Sequence, residues 1–414
     1  MNAVREQYEA YPYPPRDPEE ERGRLIATEE DALARVNHYC FGGREGFQGF
    51  RALVAGGGTG DAAIYLAEQL RGRGEVTYID LSAASRAIAE ARAAVRGLAN
   101  ITFVTGSLID LPSLGLGPFD YVNCCGVLHH LPDPPAGLAA LAAVMRPGGA
   151  LSLMVYADWG RAPVYPMQEL MRLAGAGRPL AERVALARRL LAALPEGNLF
   201  RDAQARYADL ARMGDAGLVD LLLHPVDRAY AIDALEALLA EHGFSFACFT
   251  GPAVRDHYRP EHFLSDPALL ARAAALPPAR RRRLGELLSG AVVKHALLAV
   301  KGGPAVADPA DPAMVPFWFP AANAGLAAGL AAALADGRPA QLALGPAGAA
   351  RLEIMPRPAT RAILAAIDGR RPLAEIAPDP GAQADWLDLY ARLNAHDLLL
   401  LRHRAADPIP DLAE

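Results

Sequence analysis

The chain has 414 residues, 52% of them hydrophobic and 21% charged, with a formal net charge of -6. That length exceeds one ordinary core and predicts two or three domains, each able to bury a sizeable apolar interior. Charge spread along the chain gives no electrostatic reason for a nucleic-acid partner, and four cysteines without a CxxC pair or zinc spacing predict a reducing compartment and no metal.

The opening MNAVREQYEAYPYPP carries charges and prolines where a secretory signal needs a continuous apolar stretch, so a cytoplasmic protein is expected. Residues 1–48 read as an N-terminal arm with helices. From Arg51 onward short apolar runs alternate with helical segments, the signature of βαβ units and a parallel sheet. Strands are predicted at 52–56, 75–80, 101–106, 119–126 and 150–156, with helices over 61–71, 83–95 and 137–145. Residues 158–230 look helical with no good strand, an insertion large enough to cover a site. Strands at 244–250 and 292–300 then complete a seven-stranded sheet within a domain spanning 49–302.

Two later stretches need care. Arg280–Arg283 lie on a helical segment and read as a solvated face. Residues 313–335 carry no formal charge and reach the length of about 20 residues that spans a bilayer. Pro316, Pro320 and Asn323 interrupt them, so a packed connector and amphipathic helix is expected, and no membrane partner. Residues 303–414 make a small C-terminal α+β domain, winged-helix-like from about Pro358 to Arg402. Its nine Lys or Arg against thirteen Asp or Glu favour protein contact or a homodimer over DNA.

The chemical signal is Val54-Ala55-Gly56-Gly57-Gly58-Thr59-Gly60-Asp61, where a strand hands over to a helix. Glycines there let backbone approach a ligand, and free amides at the helix start favour an anionic group. Asp80, twenty residues past Gly60 at the end of the second strand, can take both hydroxyls of a ribose. A dinucleotide enzyme would show both features, so the neighbours decide. They are Gly126-Val127-Leu128-His129-His130-Leu131-Pro132-Asp133 after the fourth strand and Met145-Arg146-Pro147-Gly148-Gly149 before the fifth.

With these motifs, residues 50 to 156 resemble the class I, Rossmann-like S-adenosylmethionine-dependent methyltransferases, bacterial type with an N-terminal YPYP segment and an extra C-terminal domain. The resemblance implies S-adenosylmethionine as cofactor, held by Gly56, Gly57, Gly58, Gly60, Asp80, Leu81, Ser107, Leu108 and Gly126. Val54 stands where many relatives have an acidic residue, and Ser107 where many have Asp. It implies methyl transfer to N or O of a small-molecule or polypeptide acceptor; a non-catalytic cofactor-binding regulatory protein of the same fold is the alternative.

A sulfonium methyl is already electrophilic, so alignment and exclusion of water come first, and a base helps a protonated amine or hydroxyl. His129, past the fourth strand, is the expected base, with Tyr13 and His224 as further catalytic candidates. Tyr11 and Tyr13 could close over the sulfonium by cation–π contact or position the acceptor, Tyr11 being a substrate candidate. The set His224, Asp227, Arg228 and Tyr230, with Arg161, is either a structural clasp or part of the acceptor pocket.

Overall fold

The computed structural model describes residues 2–251, 255–344, 350–410 and 412. Met1 of the expected arm and 345–349, 411, 413 and 414 of the expected C-terminal domain lie outside them. Five parallel strands alternate with helices: β1 Phe50–Ala55, β2 Gly74–Asp80, β3 Ile101–Thr105, β4 Phe119–Cys125 and β5 Met145–Ala157. β6 Ala229–Tyr230, β7 Phe244–Phe249 and β8 Lys294–Lys301 follow. The order is β3-β2-β1-β4-β5-β8-β7, with β8 antiparallel to β5 and β7. The expected seven strands are joined by the two-residue β6, which pairs with the end of β5 inside the segment read as strand-free.

The continuous apolar runs are buried on both faces, as a helix-covered parallel sheet requires. Two apolar clusters flank it. One joins Leu53, Val122 and Leu151 to Leu138 and Leu141. The other joins Val54, Tyr121 and Leu298 to Val36 and Leu66. The helix before β5 starts at Pro134 rather than near Gly137, because Asp133 caps it by accepting from the Ala136 amide and proline suits a first helical turn.

The N-terminal residues do not stand apart as an arm. Helix α1 (Asn2–Ala10) precedes α2 (Leu33–Cys40), which packs between the main sheet and the C-terminal elements. His38 of α2 accepts from the Leu401 amide (2.9 Å) and lies 3.0 Å from the Tyr390 hydroxyl. Arg35 of α2 and Arg255 both pair with buried Asp397. The C-terminal part has an apolar core of its own, with Trp318, Ile354, Ile363 and Trp386, while Leu400 joins Val36 and Val300 in the second flanking cluster.

Residues 313–335 depart from the expected connector. Met314–Trp318 form strand β9, antiparallel to β12 (Leu399–His403). The two make a sheet of their own, so Pro316 can occupy an edge without removing a ladder bond. β10 (Ala340–Leu344) and β11 (Ala350–Ile354) form a hairpin, followed by helices Thr360–Ala366, Leu373–Ile376 and Pro380–Asn394. No helix among the described residues is long and apolar enough to cross a membrane. The arginine run is ion-paired rather than merely solvated: Arg280 to Asp233, Arg281 to Glu261, Arg282 to Glu236, Arg283 to Asp158 and Glu286.

Candidate active site

A cavity of about 300 Å³ opens at the C-terminal ends of β1, β2 and β4, where an open α/β sheet places its ligand crevice. The turn after β1 forms one wall. The Gly58 amide donates to Asp80 Oδ2 (2.8 Å), and the Tyr78 hydroxyl donates to the Gly58 carbonyl (2.6 Å). Asp80 Oδ1 accepts from the Ser82 amide, and Ser82 caps the helix Ala83–Val95. Burial raises the Asp80 pKa despite these amides.

The N-terminal segment seals this turn from outside. Gly58 has φ +52°, and a Cβ there would lie 2.6 Å from the Tyr13 carbonyl oxygen. Thr59 Oγ1 donates to the Pro14 carbonyl (2.7 Å), and Arg16 pairs with Asp61 (2.6 Å). Arg92, itself buried, pairs with both Asp61 and Glu21. Breaking one partner of such a buried network typically costs about 3–5 kcal/mol.

Gly56, Gly57, Gly58, Asp80, Leu81, Ser107, Leu108 and Gly126 border the cavity, as does Tyr13. Gly60 does not: its φ of +103° starts the next helix, and a Cβ would meet Ala89 Cβ at 2.8 Å. It allows two helices to approach and faces no ligand space. The Ser107 hydroxyl caps the turn that follows it by accepting from the Ile109 amide.

The wall beyond β4 sets the two histidines of the turn Leu128–His130 apart. His129 is fully buried, both ring nitrogens lack a partner, and it does not border the cavity. Burial holds its pKa well below the ordinary imidazole value. His130 does border it. Its Nδ1 lies 2.7 Å from the Val226 carbonyl, which can only accept, so the proton sits on Nδ1 and Nε2 keeps a lone pair. Behind it His224 accepts from the Val226 amide at Nδ1, which puts its proton on Nε2, 3.4 Å from the Tyr8 hydroxyl.

Asp220, on a π-helical turn of the insertion (Val219–Leu223), holds the centre of this group. It accepts from Tyr8 (3.1 Å) and Tyr156 (3.0 Å) hydroxyls. Burial raises both tyrosine pKa values well above normal and pushes His224 down to about 3, so these rings are neutral at pH 7. Asp220, His130 and His224 bring ligand atoms within 4.8 Å of one another. The two imidazoles are nevertheless stacked, centroids 3.7 Å apart and planes 28° apart. A metal lies in each ring plane about 2.1 Å from nitrogen, and near-parallel planes do not meet so close. The group is built as a hydrogen-bond network.

Tyr11, Arg161, His224, Arg228 and Tyr230 do not border the cavity. Tyr11 packs on the insertion's apolar cluster. Arg161 pairs with Asp227 (2.7 Å), which also accepts from Gln168, and its guanidinium lies over the Tyr156 ring. That is the clasp reading of the 224–230 set. Three residues not singled out from the sequence also border the cavity: Asn123, within the fourth strand, and Asp31 and Asp220, which lie outside the motifs.

Residues 53–151 match the family described as "Methyltransferase domain". An uncharacterized protein of Synechococcus sp. is 36% identical over 290 residues, 69% of this chain and 68% of that protein. The tRNA 5-carboxymethoxyuridine methyltransferase of Escherichia coli is 40% identical over 112 residues, 27% of this chain and 42% of that enzyme. The structure of PKMT2 from Rickettsia typhi in complex with AdoHcy shares the fold, with TM-score 0.60 and 13% identity over 92% of this chain and 77% of that chain. The chain belongs to the class I S-adenosylmethionine-dependent methyltransferases. It is an enzyme that transfers a methyl group from S-adenosylmethionine to an acceptor.

Proposed function

We propose that the acceptor is a hydroxyl or amine of a small molecule, methylated at O or N, with His130 taking its proton. The observation that carries this reading is the His130 ring: it shares one cavity with the glycine turn, and Nδ1 is committed to the Val226 carbonyl. No protein group bonds its Nε2 among the described residues, so that lone pair is available to an acceptor.

S-adenosylmethionine supplies an electrophilic methyl on a sulfonium. Gly56, Gly57, Gly58, Asp80, Leu81, Ser107, Leu108 and Gly126 would hold it, and the acidic wall suits its positive charge. Tyr8 and Tyr156, locked on Asp220, orient the acceptor and exclude water; Tyr13 closes the near side. A small acceptor is favoured because two separate segments narrow the space: Tyr8 and Tyr13 before the sheet, and Asp220 from the insertion. The four free cysteines accord with a reducing, cytoplasmic setting.

Methyl-labelled S-adenosylmethionine, incubated with the enzyme and an extract of the source cells, tests the reading. Label is expected in the small-molecule fraction. Label confined to precipitated polypeptide would replace this acceptor class with a protein one.

A further inference from the structure

The end of β1 offers no charge to the cavity, because Val54 stands there. A carboxylate arrives from elsewhere. Asp31, in the single turn Glu29–Asp31 ahead of α2, is 1% exposed and borders the cavity beside Val54 and Asn123. Its Oδ1 accepts from the Tyr121 hydroxyl (2.6 Å) and Asn123 Nδ2 (2.7 Å), and its Oδ2 from Thr28 Oγ1 (2.6 Å).

All three donors are neutral, and no Lys, Arg or His is among the groups that act on Asp31 in the described residues. Hydrogen bonds fix the group without neutralising it. Burial pushes its pKa up to about 6, with Glu30 adding to the rise. An ionised carboxylate in such a place is costly unless a cation joins it. Asp61 on the same wall is already paired with Arg16 and Arg92, whereas no cation among the described residues is paired with Asp31, so a countercharge for Asp31 has to come with a ligand.

S-adenosylmethionine has two positive centres. The sulfonium has no N–H to donate, whereas the α-ammonium has three, one of which matches the acceptor site left on Oδ2 of this fixed carboxylate. We propose that Asp31 is the counter-ion of the cofactor's α-ammonium, supplied by the N-terminal segment where β1 carries Val54. Asn123 and Tyr121 aim it; the folded N-terminal segment thereby becomes part of the cofactor site.

The inference rests on assigning this cavity to the cofactor, and calorimetry with two nucleosides separates the claims. S-adenosylhomocysteine carries the ammonium; 5′-methylthioadenosine lacks the amino-acid portion. Asp31→Asn keeps the shape and the acceptor for Tyr121. It is expected to weaken S-adenosylhomocysteine by about 10- to 100-fold, the range for a charge-assisted bond, and 5′-methylthioadenosine by less than about 2-fold. Equal losses for both, no loss for either, or lost turnover with intact S-adenosylhomocysteine affinity would each overturn the role. Should the variant not fold, the wild-type protein still decides: it should bind a deaminated S-adenosylhomocysteine about 10- to 100-fold more weakly. Equal affinity would sink the proposal. Wild-type protein that binds neither nucleoside would instead fail the cofactor assignment itself.

Discussion

At the cofactor end of the cavity, most groups that meet the ligand space sit at the ends of successive strands between Gly56 and Gly126, with Asp31 added from the N-terminal segment. At the acceptor end they are side chains, Tyr8, His130, Tyr156 and Asp220, drawn from the first helix, the loop after β4, the end of β5 and the insertion. The first end is set once the sheet forms. The second exists only after long-range packing, and its polar groups are satisfied chiefly by one another. Binding of cofactor and turnover of acceptor should therefore respond to different substitutions.

The largest effect is expected from breaking the cofactor end. In Gly58→Ala the added methyl meets the Tyr13 carbonyl and a φ of +52°. S-adenosylhomocysteine affinity should fall by more than about 100-fold, read by calorimetry. An unchanged affinity would mean that the turn does not set that end.

Next comes the acceptor end. His130→Gln should lower kcat by about 100-fold, measured as labelled methyl transfer, while the cofactor Kd stays within about 2-fold. A matching loss of cofactor affinity would merge the two ends.

Acid should loosen the acceptor end through His224. Its folded pKa of about 3 lies below the ordinary imidazole value of 6.5. The stability it contributes is thus fully present above pH 6.5 and is lost as pH falls toward 3. At pH 5 the loss is about 2 kcal/mol relative to pH 7, which His224→Phe should abolish in urea unfolding. An identical pH slope in both proteins would contradict this.

The smallest effect has the opposite sign. The Asp31 pKa is raised to about 6, so its favourable contribution is present below pH 3.8 and gone above pH 6. At pH 8 Asp31→Asn should raise Tm by about 3 °C even as it weakens cofactor binding. A lowered Tm would show that Asp31 serves the fold rather than the ligand.

The same contrast explains what the sequence could disclose. β1 to β5, the glycine turn and Asp80 were legible because strand periodicity and turn residues are local. Gly60 was misplaced: a glycine in a turn does not reveal whether its missing Cβ makes room for a ligand or for Ala89. His129 and His130 are equivalent as letters, and only the turn Leu128–His130 decides which ring meets the cavity. Asp31 ends the acidic run Glu29-Glu30-Asp31, and Asp220 interrupts an apolar one, Leu218-Val219-Asp220-Leu221. Their partners lie 90 and 212 residues away, at Tyr121 and Tyr8, beyond any local pattern. β9 was hidden by Pro316, which reads as a breaker until its edge position is known.

The most direct test is a crystal structure with S-adenosylhomocysteine bound. The account predicts adenosine over Leu81 and Leu108, the amino group at Asp31, and the sulfur facing a gap that ends at His130 Nε2. A cofactor whose sulfur turns away from His130, or an empty crevice at saturating ligand, would contradict it.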